Sequence, residues 1–262
     1  MILEDKTVVV VGVGPGLGRE IAAIVVRDGG NAVLCARNAD KLATLAGEID
    51  PSGDRVAIAP MDITDASTCA AAMEAAIDRF GSIDAVVQVA ALDTVLGTFE
   101  ESTEDDWLRT FEVNVLGTLH VVRAATPHLR AAGGGSIVLI SSQSQFLPSS
   151  MIHQAAYGTS KGALGTAMLY LARELGPDKI RVNSVVPTWM WGPAVEMYVD
   201  YVSASQDTTG DEVVARITEP MALDEIPADE DVAEAVAFLC SDRSRMITGQ
   251  HLFVNAGELM PR

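Results

Sequence analysis

Tyr157 and Lys161 stand four residues apart in this chain. On a helix, residues at this spacing lie on one face, one turn from each other. A nearby ammonium group favours the phenolate, so it lowers the pKa of a tyrosine from its reference value of about 10. The pair is therefore a candidate general acid and base. An exposed helix face can carry the same two residues by chance, so the rest of the chain has to decide between these interpretations.

The surrounding sequence alternates two kinds of segment. Short apolar runs rich in β-branched residues are followed by longer runs whose apolar residues recur at about every 3.6 positions. Continuous apolar strands between helices are typical of a parallel sheet covered on both faces. The sequence thus predicts one α/β domain over residues 1–262, a Rossmann-type doubly wound sheet of seven mostly parallel strands flanked by helices. The predicted strands are 7–11, 32–36, 56–59, 85–89, 136–141, 181–186 and 251–254, and the predicted helices include 18–28, 66–80, 104–132, 155–175 and 231–239.

One long stretch, residues 187–227, fits neither pattern and is interpreted as irregular. It combines tryptophan, methionine and tyrosine with a polar patch at 203–210. Long loops inside a compact domain are commonly lids or binding loops. We therefore predict a substrate loop or lid at 187–227.

A glycine-rich turn follows the first predicted strand and precedes a helix. The pattern G-x-x-x-G-x-G fits through Gly12, Gly16 and Gly18, whereas G-x-G-x-x-G through Gly12 and Gly14 fails because Leu17 stands at the third position. Glycines let backbone N–H groups approach a pyrophosphate at the positive end of a helix. The turn therefore favours dinucleotide binding, and a purely structural strand-to-helix turn is the alternative.

The residues after the second and third strands bear on which dinucleotide binds. Ala36 stands where an acidic residue would hold the 2′-hydroxyl of NAD, and Arg37 follows it. A guanidinium suits a 2′-phosphate, so NADP(H) is preferred and NAD(H) remains open, with an ordinary exposed arginine as the alternative. Asp62 could accept a hydrogen bond from the adenine amino group or could cap the following helix.

Composition excludes several classes of partner. The chain has 36 acidic and 18 basic residues, a formal charge of −18, which disfavours nucleic acid and anionic membranes. No apolar stretch approaches the roughly 20 residues of a membrane span, and no secretion signal is evident, so we expect a cytoplasmic protein. Cys35, Cys69 and Cys240 lack metal-ligand spacing and are expected to be buried thiols in a reducing compartment. The histidines also lack ligand spacing, so no metal site is expected.

Taken together, these motifs resemble the short-chain dehydrogenase/reductase family, in its compact single-domain branch, over nearly the whole chain. The resemblance implies a catalytic group and a set of cofactor contacts. The catalytic group is Asn114, Ser142, Tyr157 and Lys161. The motifs that carry the resemblance are the turn 12–18, Asp62, Asn114, the strand 135–142, Tyr157 with Lys161, the segment 181–184, and the closing segments 248–250 and 254–257. The implied cofactor contacts are Gly12, Gly14, Pro15, Gly16, Leu17, Gly18, Arg37, Asp62, Ile63, Ala90, Asn114, Tyr157, Lys161, Pro187 and Met190.

The resemblance also implies a role for each catalytic residue. Tyr157 would donate a proton to a carbonyl oxygen during reduction and accept it during oxidation. Lys161 would lower the pKa of the phenol and bind the nicotinamide ribose. Ser142 would donate a hydrogen bond to the substrate oxygen. Asn114 would hold a water that links Lys161 to solvent.

Three departures from the family pattern leave questions open. Ser142 aligns with the end of its strand, whereas Ser144 lies 13 residues before Tyr157, the usual gap; we prefer Ser142. Gln88 replaces an asparagine that supports the sheet, and we expect it to substitute imperfectly. After Pro187 the threonine that often contacts the carboxamide is absent, and residues 191–192 fall in that region.

Large apolar side chains near the predicted site favour an apolar substrate, cyclic ones included. The implied activity is hydride transfer between NADP(H) and a secondary alcohol or ketone, and the alternatives are a nucleotide-binding sensor or scaffold with little turnover and an epimerase or dehydratase. Family members usually pair through the helices around 104–132 and 155–175, which implies a homodimer or homotetramer. The candidate substrate contacts are Ser142, Ser144, His153, Trp189, Trp191 and Met197.

Overall fold

Seven parallel strands form the centre of the computed structural model, which describes residues 1–149 and 151–260. Ser150, Pro261 and Arg262 of the predicted domain therefore lie outside the described residues. The strand order is β3-β2-β1-β4-β5-β6-β7, and each of the six neighbouring pairs is parallel. The prediction of a doubly wound α/β sheet is confirmed. The strands are β1 (Thr7–Val11), β2 (Asn31–Cys35), β3 (Val56–Ile58), β4 (Ala85–Gln88), β5 (Gly135–Ile140), β6 (Ile180–Pro187) and β7 (His251–Val254).

Helices cover both faces of this sheet. Four of the predicted helix ranges match observed helices closely, and the helix α2 adds to them. The predicted helix over 104–132 is divided into α4 and α5 by a π-helical segment, Glu112–Gly117. Within the described residues the helices are α1 (Leu17–Arg27), α2 (Ala39–Ile49), α3 (Ala66–Phe80), α4 (Glu104–Phe111), α5 (Thr118–Ala131), α6 (Ala155–Leu175), α7 (Pro193–Gln206), α8 (Gly210–Thr218) and α9 (Asp229–Cys240).

The prediction that residues 187–227 are irregular is wrong, because α7 and α8 fill most of this stretch. Thr209 caps α8 through a reciprocal capping box with Glu212, and Asp207 ends α7 in a left-handed conformation. The two helices enclose a small apolar core of their own, in which Val199 and Ile217 are buried. The segment is therefore a pair of helices with a small hydrophobic core of its own.

The main core consists of two layers, one on each face of the sheet. Alternate residues of β1 enter opposite layers because successive side chains of a strand point to opposite faces. Val8 and Val10 pack in the layer under α1 and α9, whereas Val9 and Val11 pack in the layer under α3, α5 and α6. All five residues of β1 are buried, as its continuous apolar sequence predicts.

Two further sequence predictions can be compared with the structure. The cysteines Cys35, Cys69 and Cys240 are free and buried, as predicted, and burial raises the pKa of each thiol. Among residues 1–149 and 151–260, no helix is both long enough and apolar enough to span a membrane.

Candidate active site

The predicted catalytic residues come together where β4 and β5 end and α6 begins. Ser142 follows β5 by two residues, Tyr157 and Lys161 lie in the first two turns of α6, and Asn114 lies in the π-helical segment. The carboxyl ends of parallel strands meet at one edge of a sheet, which is where ligands bind in folds of this class. The sheet thus brings residues from three distant parts of the chain to one place.

Of the two candidate serines, Ser142 is the one whose hydroxyl lowers the pKa of the Tyr157 phenol. Its Oγ also lies 2.9 Å from the Oγ of Ser144 and accepts a hydrogen bond from the Ser144 backbone N–H at 3.2 Å. Ser144 therefore contacts Ser142 and stands one step further from the tyrosine. This geometry favours Ser142 over Ser144 as the residue paired with Tyr157.

The predicted lowering of the Tyr157 pKa by Lys161 is wrong for the structure as it stands. Burial and the charge of Asp93 raise the pKa of Tyr157 to about 12, and the Ser142 hydroxyl opposes this rise only in part. The Lys161 Nζ lies 5.5 Å from the centre of the tyrosine ring. Desolvation of the phenolate therefore outweighs the attraction of the ammonium group.

Lys161 is held instead by the end of β5. Its side chain is almost fully buried, with 3% exposure, and its Nζ donates a hydrogen bond of 2.7 Å to the carbonyl of Ile140. Burial lowers the pKa of Lys161 to about 8, and the charge of Asp93 opposes this change. An ammonium with such a pKa can release its proton close to neutral pH.

Both polar atoms of the Asn114 side chain form hydrogen bonds within the protein, in contrast to the predicted role of holding a water. Its Nδ2 donates to the Leu92 carbonyl at 3.0 Å and to the Ser160 Oγ at 2.9 Å, and its Oδ1 accepts from the Leu92 N–H at 2.6 Å. Both amide hydrogens are thereby used within the protein. Asn114 joins the loop after β4 to α6, so it positions the helix that carries Tyr157 and Lys161.

Gln88, at the end of β4, hydrogen-bonds to the segments that follow β4 and precede α5, but only through its amide nitrogen, as the prediction of an imperfect substitute implies. Its Nε2 donates hydrogen bonds of 3.2 Å to the Ala90 carbonyl and to the Thr118 Oγ1. Its Oε1 is buried and has no hydrogen-bond partner among the described residues. A buried acceptor without a partner costs free energy, so the substitution is only a partial replacement.

The glycine turn has the close contacts that the G-x-x-x-G-x-G pattern predicts. Gly12 has a φ of +99°, and a Cβ there would lie 2.3 Å from the Ala90 nitrogen. A Cβ at Gly18 would lie 2.6 Å from the Gly12 carbonyl oxygen, whereas one at Gly14 would have no neighbour within 4 Å among the described residues. Position 14 is therefore open, and the turn requires glycine at positions 12 and 18.

A dinucleotide fits this turn. No side chain of the described residues caps α1, so the N–H groups of Leu17 and Gly18 remain available to a ligand, whereas that of Arg19 donates to the Gly16 carbonyl at 2.9 Å. Gly14 leaves that space open for a phosphate group. Backbone N–H groups at a helix N-terminus attract anions, so the donor set matches the pyrophosphate of a nicotinamide dinucleotide. The predicted contacts Pro15, Gly16 and Leu17 belong to the same turn.

Arg37 follows β2 and Asp62 follows β3, and the two side chains lie close enough for the charge of Arg37 to act on Asp62. Asp62 accepts hydrogen bonds from the Thr64 N–H at 2.9 Å and from the Thr64 Oγ1 at 2.8 Å. These bonds lower the pKa of Asp62, and the charge of Arg37 lowers it further. The alternative that Asp62 caps the next helix is wrong, because Asp65 is the N-cap of α3. Arg37 is exposed and free to meet a ligand.

The remaining predicted cofactor contacts follow the strands β3, β4 and β6 at the carboxyl edge of the sheet. Ile63 is buried below α3, and Ala90 lies against Gly12. Pro187 ends β6, and Met190 packs on the core layer under α1 and α9. The structure places these residues around the carboxyl edge of the sheet.

The predicted substrate residues divide into two groups. Trp189 packs on Tyr198 in the α7–α8 core, with ring centres 5.0 Å apart, Trp191 is partly exposed, and Met197 is 72% exposed. Ser144 and His153 instead line a cavity of about 980 Å³ on the adjacent face of α6, and neither Tyr157 nor Lys161 lines it. The structure therefore does not gather the six predicted substrate contacts on one wall.

Two side-chain links escaped the sequence analysis. The Asn255 Nδ2 donates to the Gln143 Oε1 at 2.7 Å, which ties the residue beside Ser142 to the segment after β7. Thr188 donates a hydrogen bond to the Glu258 carboxylate, so the same segment also reaches the end of β6. Asn255 belongs to a motif that the sequence shows, but its partner lies 112 positions away, and no local pattern identifies it.

The whole chain is similar to known oxidoreductases. Residues 12–258 match a family model described as "Enoyl-(Acyl carrier protein) reductase". The chain is 32% identical over 260 residues to the versicolorin reductase of Emericella nidulans, covering 97% of this chain and 96% of that protein. It is 30% identical over 262 residues to the trans-4-hydroxycyclohexanecarboxylate dehydrogenase of Sinomonas cyclohexanicum, covering 98% and 93% of the two chains.

A solved structure shows the same architecture. A short-chain type dehydrogenase/reductase from Mycobacterium ulcerans superposes with a TM-score of 0.87 and 31% identity, covering 98% of this chain and 91% of that one. The chain therefore belongs to the short-chain dehydrogenase/reductase family, whose members are oxidoreductases that use nicotinamide dinucleotides.

Proposed function

We propose that this protein interconverts a secondary alcohol and a ketone on an apolar substrate, with Tyr157 as general acid and base. The observation that carries the proposal is the grouping of Tyr157, Ser142 and Lys161: the Lys161 Nζ is buried 5.5 Å from the centre of the Tyr157 ring, and the Ser142 hydroxyl lowers the pKa of the phenol. Buried acid–base groups with shifted pKa values cluster at sites of chemistry more than at structural sites. The arrangement suits proton transfer to one oxygen atom.

In reduction, the Tyr157 hydroxyl donates its proton to the substrate oxygen while the Ser142 hydroxyl donates a hydrogen bond to the same atom. A bound nicotinamide ring supplies the hydride in that direction and accepts it in the other. The pKa of about 12 keeps the phenol protonated at neutral pH, as an acid requires. Lys161 holds a proton close by and releases it readily, so it is suited to restore the tyrosine proton.

Asn114 acts as a positioning residue in this scheme. Its hydrogen bonds to Leu92 and Ser160 fix the second turn of α6 relative to the loop after β4. Groups held in one geometry react without the entropy cost of being brought together. Loss of the Asn114 amide should therefore lower the rate while leaving the fold in place.

The cofactor we propose is NADP(H), with NAD(H) as the alternative. Arg37 is exposed at the end of β2, beside Asp62, and no acidic residue stands at position 36. A guanidinium can form two parallel hydrogen bonds to a phosphate group, whereas it offers no matching acceptor to a ribose hydroxyl. The preference depends on this one side chain.

The substrate we propose is apolar, and cyclic alcohols are the first class to test. Apolar side chains between Ser142 and Tyr157 and after β6 are partly exposed, among them Leu147, Met151 and Trp191. The name of the Sinomonas relative specifies a hydroxyl group on a cyclohexane ring. We also propose a homodimer or homotetramer, because α4 and α6 expose Leu108, Leu169 and Tyr170.

The cofactor is tested by tryptophan fluorescence titration with NADPH and NADH. Wild type should bind NADPH more tightly, and Arg37→Ala should weaken NADPH about tenfold or more, the effect of losing a charge-assisted hydrogen bond of about 1.5–3 kcal/mol, while NADH binding stays constant. Arg245→Ala, which removes an exposed arginine of the 242–245 turn, is the matched control. Equal binding of both dinucleotides to wild type would show that Arg37 does not select the cofactor.

The reaction is tested with a panel of cyclic ketones and alcohols and with an enoyl thioester. Tyr157→Phe should abolish carbonyl reduction and leave dinucleotide binding intact, and Ser142→Ala should lower kcat far more than Ser144→Ala. Turnover of the enoyl thioester with no turnover of any ketone would replace the proposal by reduction of a carbon–carbon double bond. Binding without turnover of any member of the panel would favour a nucleotide-binding sensor or scaffold.

A further inference from the structure

Asp229, the first residue of α9, lies between the glycine turn and the segment that follows β6. A Cβ built on Gly192 would lie 2.3 Å from the Asp229 Oδ2, and one built on Gly16 would lie 3.1 Å from it. The Asp229 N–H donates to the Trp191 carbonyl at 3.3 Å, which fixes the start of α9 against this segment. The carboxylate therefore occupies the space that side chains at positions 16 and 192 would fill.

This carboxylate is half-buried and has no hydrogen-bond or ion-pair partner in the part of the chain that the structure describes. Glycines on both sides leave the space for it, and α9 packs along α1, the helix whose first turn faces the dinucleotide site. A half-buried carboxylate without a protein partner is stabilised by solvent, and a ligand over the glycine turn would displace part of that solvent, which gives Asp229 a ligand-linked role.

The charges around Asp229 are mostly negative. Glu20 on α1 and the burial of the site raise the pKa of Asp229, burial being the larger cause. The nearest cation on α1, Arg19, is already paired with Glu20 at 2.6 Å and lies 3.7 Å from Glu48. On α9 itself, Glu230 is exposed and Asp231 bonds to the Ala228 N–H at 2.8 Å.

Among the described residues, the other elements around Asp229 provide no unpaired positive side chain to offset its charge. The glycine turn 12–18 and the segment 187–192 contain no ionisable side chain, and Glu196 in the first turn of α7 is exposed. Arg27, near the end of α1, is paired with Glu234 of α9 at 2.6 Å. Only the N-terminal ends of α1 and α9 favour the charged form of Asp229, and a dinucleotide would compete for the first of them.

We propose that Asp229 couples dinucleotide binding to the uptake of one proton, so that it sets how affinity depends on pH. A pyrophosphate over the glycine turn and an ionised Asp229 would both be negative. Because the site is partly shielded from water, their repulsion would be only weakly screened. A proton taken from solvent removes the repulsion and turns the carboxyl group into a hydrogen-bond donor. The inference rests on the proposed function, because it assumes that the glycine turn binds a dinucleotide.

The test measures the dissociation constant of NADPH and of NADH by fluorescence from pH 5.5 to 8.5. For wild type the dissociation constant should rise with pH, by up to tenfold per pH unit, the limit for one linked proton. For Asp229→Asn, which keeps the shape and removes the charge, the rise should disappear apart from the titration of the ligand's own phosphate, and binding at pH 8 should be at least tenfold tighter. Glu230→Gln, an exposed neighbour on α9, should follow wild type.

Calorimetry in two buffers of different ionisation enthalpy provides the second measurement. Wild type should take up more protons on binding than Asp229→Asn, by as much as one per dinucleotide. Parallel pH profiles for wild type and Asp229→Asn, or weaker binding to the variant at every pH, would overturn the role of Asp229 while leaving the dinucleotide site in place. Failure of wild type and all variants to bind either dinucleotide would instead overturn the proposed function and this inference with it.

Discussion

Replacing Gly12 by alanine should destabilise the protein, and the structure gives the size of the effect. The new Cβ would lie 2.3 Å from the Ala90 nitrogen, whereas ordinary contacts begin at about 3.4 Å, so the end of β1 and the loop after β4 must move apart by about 1 Å. That movement disrupts the hydrogen bonds of 2.8 and 2.9 Å that Val89 and Ala90 donate to the Val11 carbonyl. The turn that β1 and β4 build together would lose its geometry.

Two contributions add to the cost. A side chain at a φ of +99° is strained by about 1–3 kcal/mol. Loss of one or two backbone hydrogen bonds adds about 1 kcal/mol each. The free energy of unfolding should therefore fall by about 2–5 kcal/mol, a large part of the roughly 5–15 kcal/mol that is typical of a folded domain.

Equilibrium unfolding in urea, without cofactor, measures this difference. With an m-value of about 3 kcal/mol/M, a loss of about 3 kcal/mol lowers the urea midpoint by about 1 M. Gly14→Ala is the matched control, because a Cβ at that position has no described neighbour within 4 Å. Its free energy of unfolding should differ from that of wild type by no more than the roughly 0.5 kcal/mol of a neutral surface change. Equal midpoints for the two variants would refute the argument that the turn follows the G-x-x-x-G-x-G pattern.

Three further variants test other parts of the structure. Lys161→Met should raise the free energy of unfolding at pH 7 by about 1–3 kcal/mol while abolishing turnover. Folding lowers the pKa of Lys161 from 10.5 to about 8, so keeping the charged lysine in the folded protein costs about 1.4 kcal/mol per pKa unit. Met also loses the hydrogen bond to the Ile140 carbonyl, which reduces the gain. Between pH 8 and 10.5 the unfolded chain keeps the Lys161 proton and the folded protein has lost it, so the stability of wild type rises with pH over that window. The stability advantage of the variant should therefore shrink as the pH rises from 8 to 10.5. A difference in thermal unfolding that stays constant with pH would contradict this. Thr103→Ala removes the capping box of α4 and should cost about 1 kcal/mol in urea unfolding. Leu129→Ala, in the core under α5, should cost about 2–5 kcal/mol, whereas Leu223→Ala, which is 74% exposed, should leave the midpoint unchanged.

The strands could be predicted to within about one residue, and most directly β1, β4 and β5, because these three are largely apolar runs that are buried on both faces. The helices α7 and α8 could not, because their apolar residues pack on a small separate core and the polar residues between them resemble a loop. The capping box of Thr209 and Glu212 was a visible signal for α8 that the search for apolar periodicity overlooked.

The site shows a similar division between residue identity and residue environment. The types and spacing of Tyr157 and Lys161 indicated the helix face that carries them, because both depend on local periodicity. The direction of the Tyr157 pKa shift depends on burial and on the charge of Asp93, 64 positions earlier in the chain, and a sequence does not show burial at a single position. In the same way, the partners of Asn114 lie 22 and 46 positions away and follow only from the folded sheet.

The hydrogen bond between Gln143 and Asn255 has a consequence for how the protein matures on the ribosome. Ser142 and Tyr157 lie in the middle of the chain, but the residue that steadies the loop beside Ser142 comes after β7, the last strand and one edge of the sheet. A parallel strand must close a long segment before it can pair, and such pairing is slow. The glycine turn and Arg37 should therefore take their places earlier during synthesis than the loop beside Ser142, which awaits the segment after β7.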